Sequence, residues 1–382
     1  MGGDERGDFV LVMGSIKLSE LIKNAVAEKD LWLYNDSLDI NPPNLEDEES
    51  CKYFISNYFE GAGKNIPVSL LHKINHERRI QHIVTAFFLG ISIYSNSSFL
   101  KHVIDSELSR YDYALKYYHS RKPFAYVWFL ICLTHDLGYV YENKGKDLEF
   151  KTYDDLIKKY GKLGRAEGVP ELYASMIGPY FKYRADGMGM GTCKAVNDHG
   201  IVGAFITYNE FCKIRAKKRL EIEERKDGNL WVKELDDVYK LVAWIVGCHN
   251  LFFADTSNYC DMFKYMWYHL FSLIKEPTEY KIRIFDYPLF FFLQLIDNIE
   301  MMKLREVRYD YLNDLYLEID DALQSLKIRI VKRKDDLDQN KFAEKYADRL
   351  YRLNTWLTKT ELISDNSQEA GEINLKIYFV PK

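Results

Sequence analysis

The sequence predicts a mainly α-helical protein that carries a small C-terminal α+β unit. Apolar residues recur at helical spacing from about residue 51 to 305, and beyond about 310 the pattern changes to strict alternation. A third observation bears on function: histidines and aspartates stand inside or at the ends of the most apolar helical runs, where an unpaired charge is costly to bury.

Residues 1–50 read as an N-terminal extension, with a helix from Lys17 to Lys29 followed by a polar connection, Asn35 to Ser50, around Pro42-Pro43. Residues 51–305 form the helical body. Ile80, Val84, Phe87 and Phe88 share one helix face, and Val238, Leu241, Val242, Ile245 and Val246 share another. Phe124 to Thr134 is apolar without a break, and Tyr287 to Asp297 is a second apolar run opened by Pro288. The interruptions are polar or Gly-rich, at 141–170 and at Asp186 to Thr192. In residues 310–382 the order is β-β-α-β, from Leu315–Ile319, Leu326–Ile330, Phe342–Leu357 and Leu375–Phe379. Phe342, Tyr346, Leu350 and Leu353 or Leu357 line one face of that helix. A sheet this small must pack on the helical body or on a partner.

At 382 residues the chain exceeds one ordinary domain, so one large domain plus a smaller one is expected. The 52 basic and 57 acidic residues leave a net charge of −5, which is no footprint for nucleic acid or an anionic membrane. The basic runs Arg215–Arg219 and Lys332–Lys334 stand beside acidic ones and read as solvated faces. Six scattered cysteines with no Cys-x-x-Cys pair argue against a zinc knuckle and a disulfide framework. The longest apolar runs are too short to span a bilayer. No basic start leads into an apolar core, and Arg6 stands where a myristoylation site needs Ser or Thr, so a cytoplasmic, reducing location is expected.

His82 lies within a helical segment whose other members are apolar, and His135-Asp136 closes the Phe124–Thr134 run. His199 stands where a helix begins after a Gly-rich loop, and His249 closes the Val238–Cys248 helix. Asp297 lies inside an apolar helix, too far from its start to be an N-cap, and Asp is a poor helix former rarely buried unpaired. Each candidate considered alone can be an ordinary core or surface residue. Together they lie on segments separated by enough chain for helices to return to one bundle core, where facing helices build metal sites. His72, His76, His102, His119 and His269 lie in more polar surroundings and read as surface residues, with His76 the competitor to His82 as first ligand.

This order, His82, His135-Asp136, His199, His249, Asp297, resembles the HD-domain superfamily of metal-dependent phosphohydrolases. The resemblance rests on Arg79-Ile80-Gln81-His82, Leu133-Thr134-His135-Asp136-Leu137-Gly138, Asp198-His199-Gly200-Ile201-Val202-Gly203-Ala204 and Pro288 to Asp297, and covers about 65–305. It implies an HD-type helical bundle in which His82, His135, Asp136 and Asp297 hold one metal. His199 and His249 would extend the site to a second metal, bridged by Asp136. Two departures stand out. Tyr139 occupies the place where many relatives carry a lysine, and the Gly-Tyr-Pro signature of the cyclic-di-GMP phosphodiesterase branch is missing.

Four imidazoles and two carboxylates form a mixed N/O set suited to Mn, Fe, Zn, Co or Ni. A pair of divalent ions in such a set polarises a phosphoryl oxygen and supplies a hydroxide nucleophile at neutral pH, which makes Asp136 the catalytic candidate. Arg79, Arg184 and Lys194 are the candidate substrate-binding cations, with Lys303 a further one, and Glu300 and Asp198 are nearby acceptors for ligand ring N–H groups. Gly187–Gly191 reads as a hinge, or as a loop whose amides approach phosphate. The expected activity is hydrolysis of a nucleotide or other small phosphate ester, with no membrane or nucleic-acid partner and a homo-oligomer compatible with the pattern. The alternatives are an HD-type di-iron oxygenase and a non-catalytic, nucleotide-binding regulatory protein whose C-terminal unit carries the interaction.

Overall fold

Strand β1 (Ile16–Lys17) runs directly into α1 (Leu18–Ala27), which buries Leu18, Leu21, Ile22 and Ala25 along one stripe. This is a computed structural model, and it describes residues 14–34, 39–63, 78–115, 123–141, 150–186, 199–223, 231–249, 282–302, 308–333, 335–351, 353 and 372–379. After α1 come α2 (Lys29–Trp32) and α3 (Glu48–Gly63), whose opening Glu48 and Glu49 suit the positive end of the helix dipole. The body continues with α4 (Arg79–Asn96), α5 (Ser98–Leu108), α6 (Asp112–Leu115) and α7 (Pro123–Thr134). Then follow α8 (Tyr153–Tyr160), α9 (Glu171–Asp186), α10 (His199–Glu223), α11 (Leu235–Cys248) and α12 (Pro288–Ile299). The C-terminal unit is β2 (Leu315–Asp320), β3 (Ser325–Val331), α13 (Leu337–Tyr351) and β4 (Glu372–Tyr378). The protein is thus mainly α with one small antiparallel sheet, as the periodicity predicts. Among the described residues no single helix is long and apolar enough to cross a membrane.

Helix α7 explains the arrangement of the body. From Phe124 to Thr134 every residue is buried, so the helix is apolar on all sides and has to run through the interior. Trp128 donates its indole N–H to the Phe87 carbonyl of α4 (3.1 Å), which satisfies the one polar group of that ring. Trp32, Phe54, Tyr58, Phe87, Phe88 and Phe129 form a contiguous aromatic cluster between α2, α3, α4 and α7. The Tyr34 and Tyr58 hydroxyls, buried with the cluster, donate to the Tyr58 and Trp32 carbonyls. Because α7 ends inside the protein, the residues that follow it emerge in the core rather than at the surface.

The sheet has the order β1-β2-β3-β4 with every pair antiparallel, and Leu317 pairs with Ile328, which in turn pairs with Leu375. Leu315, Leu317, Ile319, Ile328, Ile330, Leu375 and Ile377 are buried, and Phe342, Tyr346 and Leu350 of α13 are buried with them. Leu353 joins that set, and Leu357 lies outside the described residues. The β2–β3 turn docks on the body through Asp321. Its carboxylate accepts from the Ser97 hydroxyl (2.6 Å) and from the Ser98 amide (2.7 Å), supplementing the cap at the start of α5.

Two features of the fold were not expected. Ile16–Lys17 joins the C-terminal sheet as an edge strand, so the first and last segments of the described chain share one layer. The stretch read as an interruption at 141–170 contains α8, opened by a capping box in which Thr152 and Asp155 satisfy each other's backbone N–H. The basic runs behave as ion-paired faces where they are described: Arg215 pairs with Asp236 (2.5 Å) and Arg333 with Asp314 (2.8 Å).

Glu107 makes the start of α12 sensitive to pH. Its carboxylate, buried on α5, accepts the Leu289 amide (2.7 Å), one of the N–H groups that a helix start leaves without an internal partner. Burial pushes this carboxyl up to about 7, against the opposing pull of the Leu289 amide and Arg110. A carboxyl whose folded pKa lies above its unfolded value stabilises the fold fully below the unfolded pKa and loses that contribution as pH rises through the folded one. The loss amounts to about 3 kcal/mol between pH 4.5 and neutrality. Glu107→Gln, which mimics the protonated form, is therefore expected to match the wild type at pH 5 and exceed it at pH 8 in urea unfolding. Equal pH dependence in the two proteins would refute this account.

Candidate metal centre

Five segments deliver the six expected ligands to one buried place. His82 stands one turn into α4, and His135 and Asp136 follow the last residue of α7. His199 is the first residue of α10, His249 caps the C-terminal end of α11, and Asp297 lies in the last turn of α12. All four histidines and Asp136 are buried, and Asp297 keeps 16% of its side chain exposed. Ligand atoms of His82, His135 and Asp297 lie within 4.8 Å of one another, and so do those of Asp136, His199 and His249. Both groups can hold a metal ion. Asp136 also faces the first group: its carboxylate lies 3.6 Å from His135 Nε2 and 3.8 Å from His82 Nε2, besides 3.7 Å from His199 Nε2 in its own group.

The hydrogen bonds behind the rings determine which nitrogen is left bare. His135 Nδ1 is 2.8 Å from the Cys132 carbonyl and His249 Nδ1 is 2.6 Å from the Val246 carbonyl. A carbonyl only accepts, so each Nδ1 carries its proton, and in the neutral ring each Nε2 presents a lone pair. His82 Nδ1 is held in the same way by the Glu300 carboxylate, whose other oxygen accepts the Met302 amide (2.6 Å). The bare Nε2 atoms of His82 and His135 then face each other at 3.0 Å, with Asp297 Oδ1 3.4 and 3.5 Å away. Two lone pairs at that separation repel unless a cation lies between them, and this donor set fits a divalent metal. In the second group the His249 imidazole is held down to about 3, chiefly by burial and then by His199 and His135, so it remains a neutral ligand. Gln294 steadies the end of α11 by donating to the His249 carbonyl (2.9 Å).

Close packing at two glycines brings α10 to the centre. A Cβ on Gly138 would collide with the His199 backbone, and one on Gly203 would sit 3.3 Å from the Gly138 nitrogen. The turn after His135-Asp136 therefore lies directly against the start of α10. Tyr139 stacks on the His199 ring with centroids 3.5 Å apart, and the Arg79 guanidinium covers the opposite face of Tyr139 at 3.3 Å. Arg79 Nη1 lies 4.0 Å from Asp136 Oδ2 and is buried without a hydrogen-bond acceptor among the described residues.

Of the three expected substrate-binding cations, the structure places Arg79 beside the ligands. Arg184 lies in α9 with its side chain outside the description, and Lys194 falls outside the described residues, as do Lys303, Asp198 and Gly187–Gly191. Glu300 takes the expected place behind a ligand ring. His102 is exposed on α5, and His72, His76, His119 and His269 lie outside the described residues. Three contributors escaped the sequence reading. In the sequence Tyr139 stands out only as the residue in place of a lysine; Gln294 sits inside the apolar run before Asp297, where its amide is a legible signal. Arg349, on α13, donates to the Asp297 carbonyl (2.8 Å), and no local pattern announces it.

Comparison of the chain with protein-family models, with curated proteins and with solved structures finds no match.

Proposed function

We propose that the chain is a metal-dependent phosphohydrolase or phosphodiesterase of HD type, acting on a nucleotide or another small phosphate ester with a pair of divalent ions. The observation that carries this reading is the convergence of His82, His135, Asp136, His199, His249 and Asp297 into two adjoining buried groups that share Asp136. Divalent metal in such a set supplies Lewis-acid polarisation of a phosphoryl oxygen and a low-pKa water. The chain's own residues do the rest. Asp136, facing both groups, accepts a proton or hydrogen bond from the attacking water and orients it. Arg79, pinned on Tyr139 with an Nη1 donor that has no acceptor among the described residues, offers a cation and a hydrogen bond to a substrate oxyanion beside Asp136.

Turnover of a panel of nucleotides and phosphomonoesters is expected only with added divalent metal, and is expected to vanish with chelator or in a folded His135→Ala variant. Undiminished turnover in that variant would overturn the proposal. Four imidazoles with two carboxylates also suit redox-active iron, so an oxygenase is the second reading. Elemental analysis and oxygen uptake of anaerobically purified protein separate the two.

A further inference from the structure

We infer that Arg349 is a positioning residue for Asp297, and that through it the C-terminal α+β unit forms part of the metal centre. The inference rests on the metal-binding reading above and adds a residue, and a structural unit, that the ligand pattern does not contain.

The Asp297 carboxylate faces the ligand histidines with one oxygen and Arg349 with the other. Oδ1 faces the bare Nε2 atoms of His82 and His135 at 3.4 and 3.5 Å, and Oδ2 faces Arg349 Nη2 at 3.8 Å. The same Nη2 donates to the Asp297 main-chain carbonyl at 2.8 Å. That carbonyl belongs to the last turn of α12, where acceptors have no partner within the helix. One residue of α13 thus holds Asp297 by its backbone and by its carboxylate. Both charged groups are poorly hydrated, with 21% of the Arg349 side chain and 16% of the Asp297 side chain exposed, so their attraction is only weakly screened.

A second contact from α13 reinforces the first. The buried Tyr346 hydroxyl, one turn before Arg349, donates to the Ile299 carbonyl (2.7 Å). Glu300, the next residue, grips His82 Nδ1. Two members of the first ligand group, Asp297 directly and His82 through Glu300, therefore hang on a helix end that α13 caps. The planar guanidinium suits this double task, whereas a lysine ammonium at the end of a flexible stem would satisfy it only in part. Coupling of this kind is reciprocal: if docking of α13 improves the ligand group, metal in that group must stabilise the docking of α13.

The test uses the full chain and zinc(II) alone as probe. Arg349→Met is expected to keep wild-type helicity while its zinc affinity falls at least about tenfold, the scale for losing a group that orients a ligand. Arg349→Lys is expected to recover part of that loss, and Tyr346→Phe, which removes the Ile299 cap without removing charge, to lose less zinc affinity than Arg349→Met. In wild type, zinc is expected to slow amide exchange across residues 337–351 relative to chelator-treated protein, and Arg349→Met is expected to lose that difference. Wild-type zinc affinity in folded Arg349→Met, or exchange in 337–351 indifferent to zinc in wild type, overturns the inference. Should Arg349→Met fail to fold, Arg349→Lys and the wild-type exchange measurement decide it. A wild type that takes up no zinc overturns the ligand reading and the role of Arg349 together. A wild type that takes it up alongside an unaffected variant overturns the role of Arg349 alone.

Discussion

Asp136→Ala is expected to abolish metal uptake at both ligand groups and to reduce metal-dependent turnover by at least about a hundredfold, since loss of an outer-shell partner alone costs 10- to 100-fold. The expectation follows from where the carboxylate lies. Its oxygens lie within 4 Å of imidazole nitrogens from both groups, on His82 and His135 on one side and His199 on the other. Its removal leaves the second group with two imidazoles alone and takes a negative charge away from the first. Asp136→Asn, which keeps the volume and one acceptor oxygen but no charge, is expected to fall between the two.

Thermal unfolding gives an independent readout. A metal that binds only the folded state raises the melting temperature by mass action. Wild type is therefore expected to melt higher with zinc than with chelator, and Asp136→Ala to melt at the same temperature in both. In chelator the variant is expected to be no less stable than wild type, because burying the Asp136 carboxylate carries a desolvation cost in the metal-free fold. A zinc-dependent rise of wild-type size in Asp136→Ala would count against the shared role of this residue.

Gly138→Ala is expected to destabilise the protein by about 3 kcal/mol, the upper end of ordinary overpacking costs. The added Cβ would meet the main chain of His199, and neither the turn after α7 nor the start of α10 offers a side chain that can swing away. Relief requires the whole of α10 to move, and His199 with it, so zinc affinity is expected to fall alongside stability. Gly203→Ala is the informative comparison. Its Cβ would stand 3.3 Å from the Gly138 nitrogen and 3.6 Å from the Thr134 carbonyl, contacts that an adjustment of a few tenths of an ångström relieves. It is expected to cost about 1 kcal/mol or less. Denaturant midpoints that rank the two substitutions in the opposite order would show that this packing is not what positions His199.

The candidate ligands were legible as a set, and the sharpest of them break a pattern. Asp297 follows nine residues that are apolar or neutral, and His135-Asp136 ends the apolar run Phe124–Thr134. A polar side chain in such surroundings needs a partner, so the anomaly is visible without coordinates. Helix α8 was equally legible through Thr152 and Asp155, but a polar stretch between apolar ones invited a loop reading. Strand β1 was not legible, since two residues carry no alternation and its pairing with Tyr316 and Leu317 is a long-range event.

The sequence by itself determined the fold class, the five helices with histidines or aspartates at or near their ends, and the identity of the six side chains that meet. These depend on periodicity and on the cost of burying unpaired polar groups, which are local properties of the chain. Tertiary structure alone decided that the six side chains form two groups sharing Asp136, that Tyr139 lies between Arg79 and His199, and that Arg349 reaches Asp297 from the C-terminal helix. Such contacts join residues far apart in the chain through close backbone approach and side-chain direction. Neither leaves a periodic trace in the order of the amino acids.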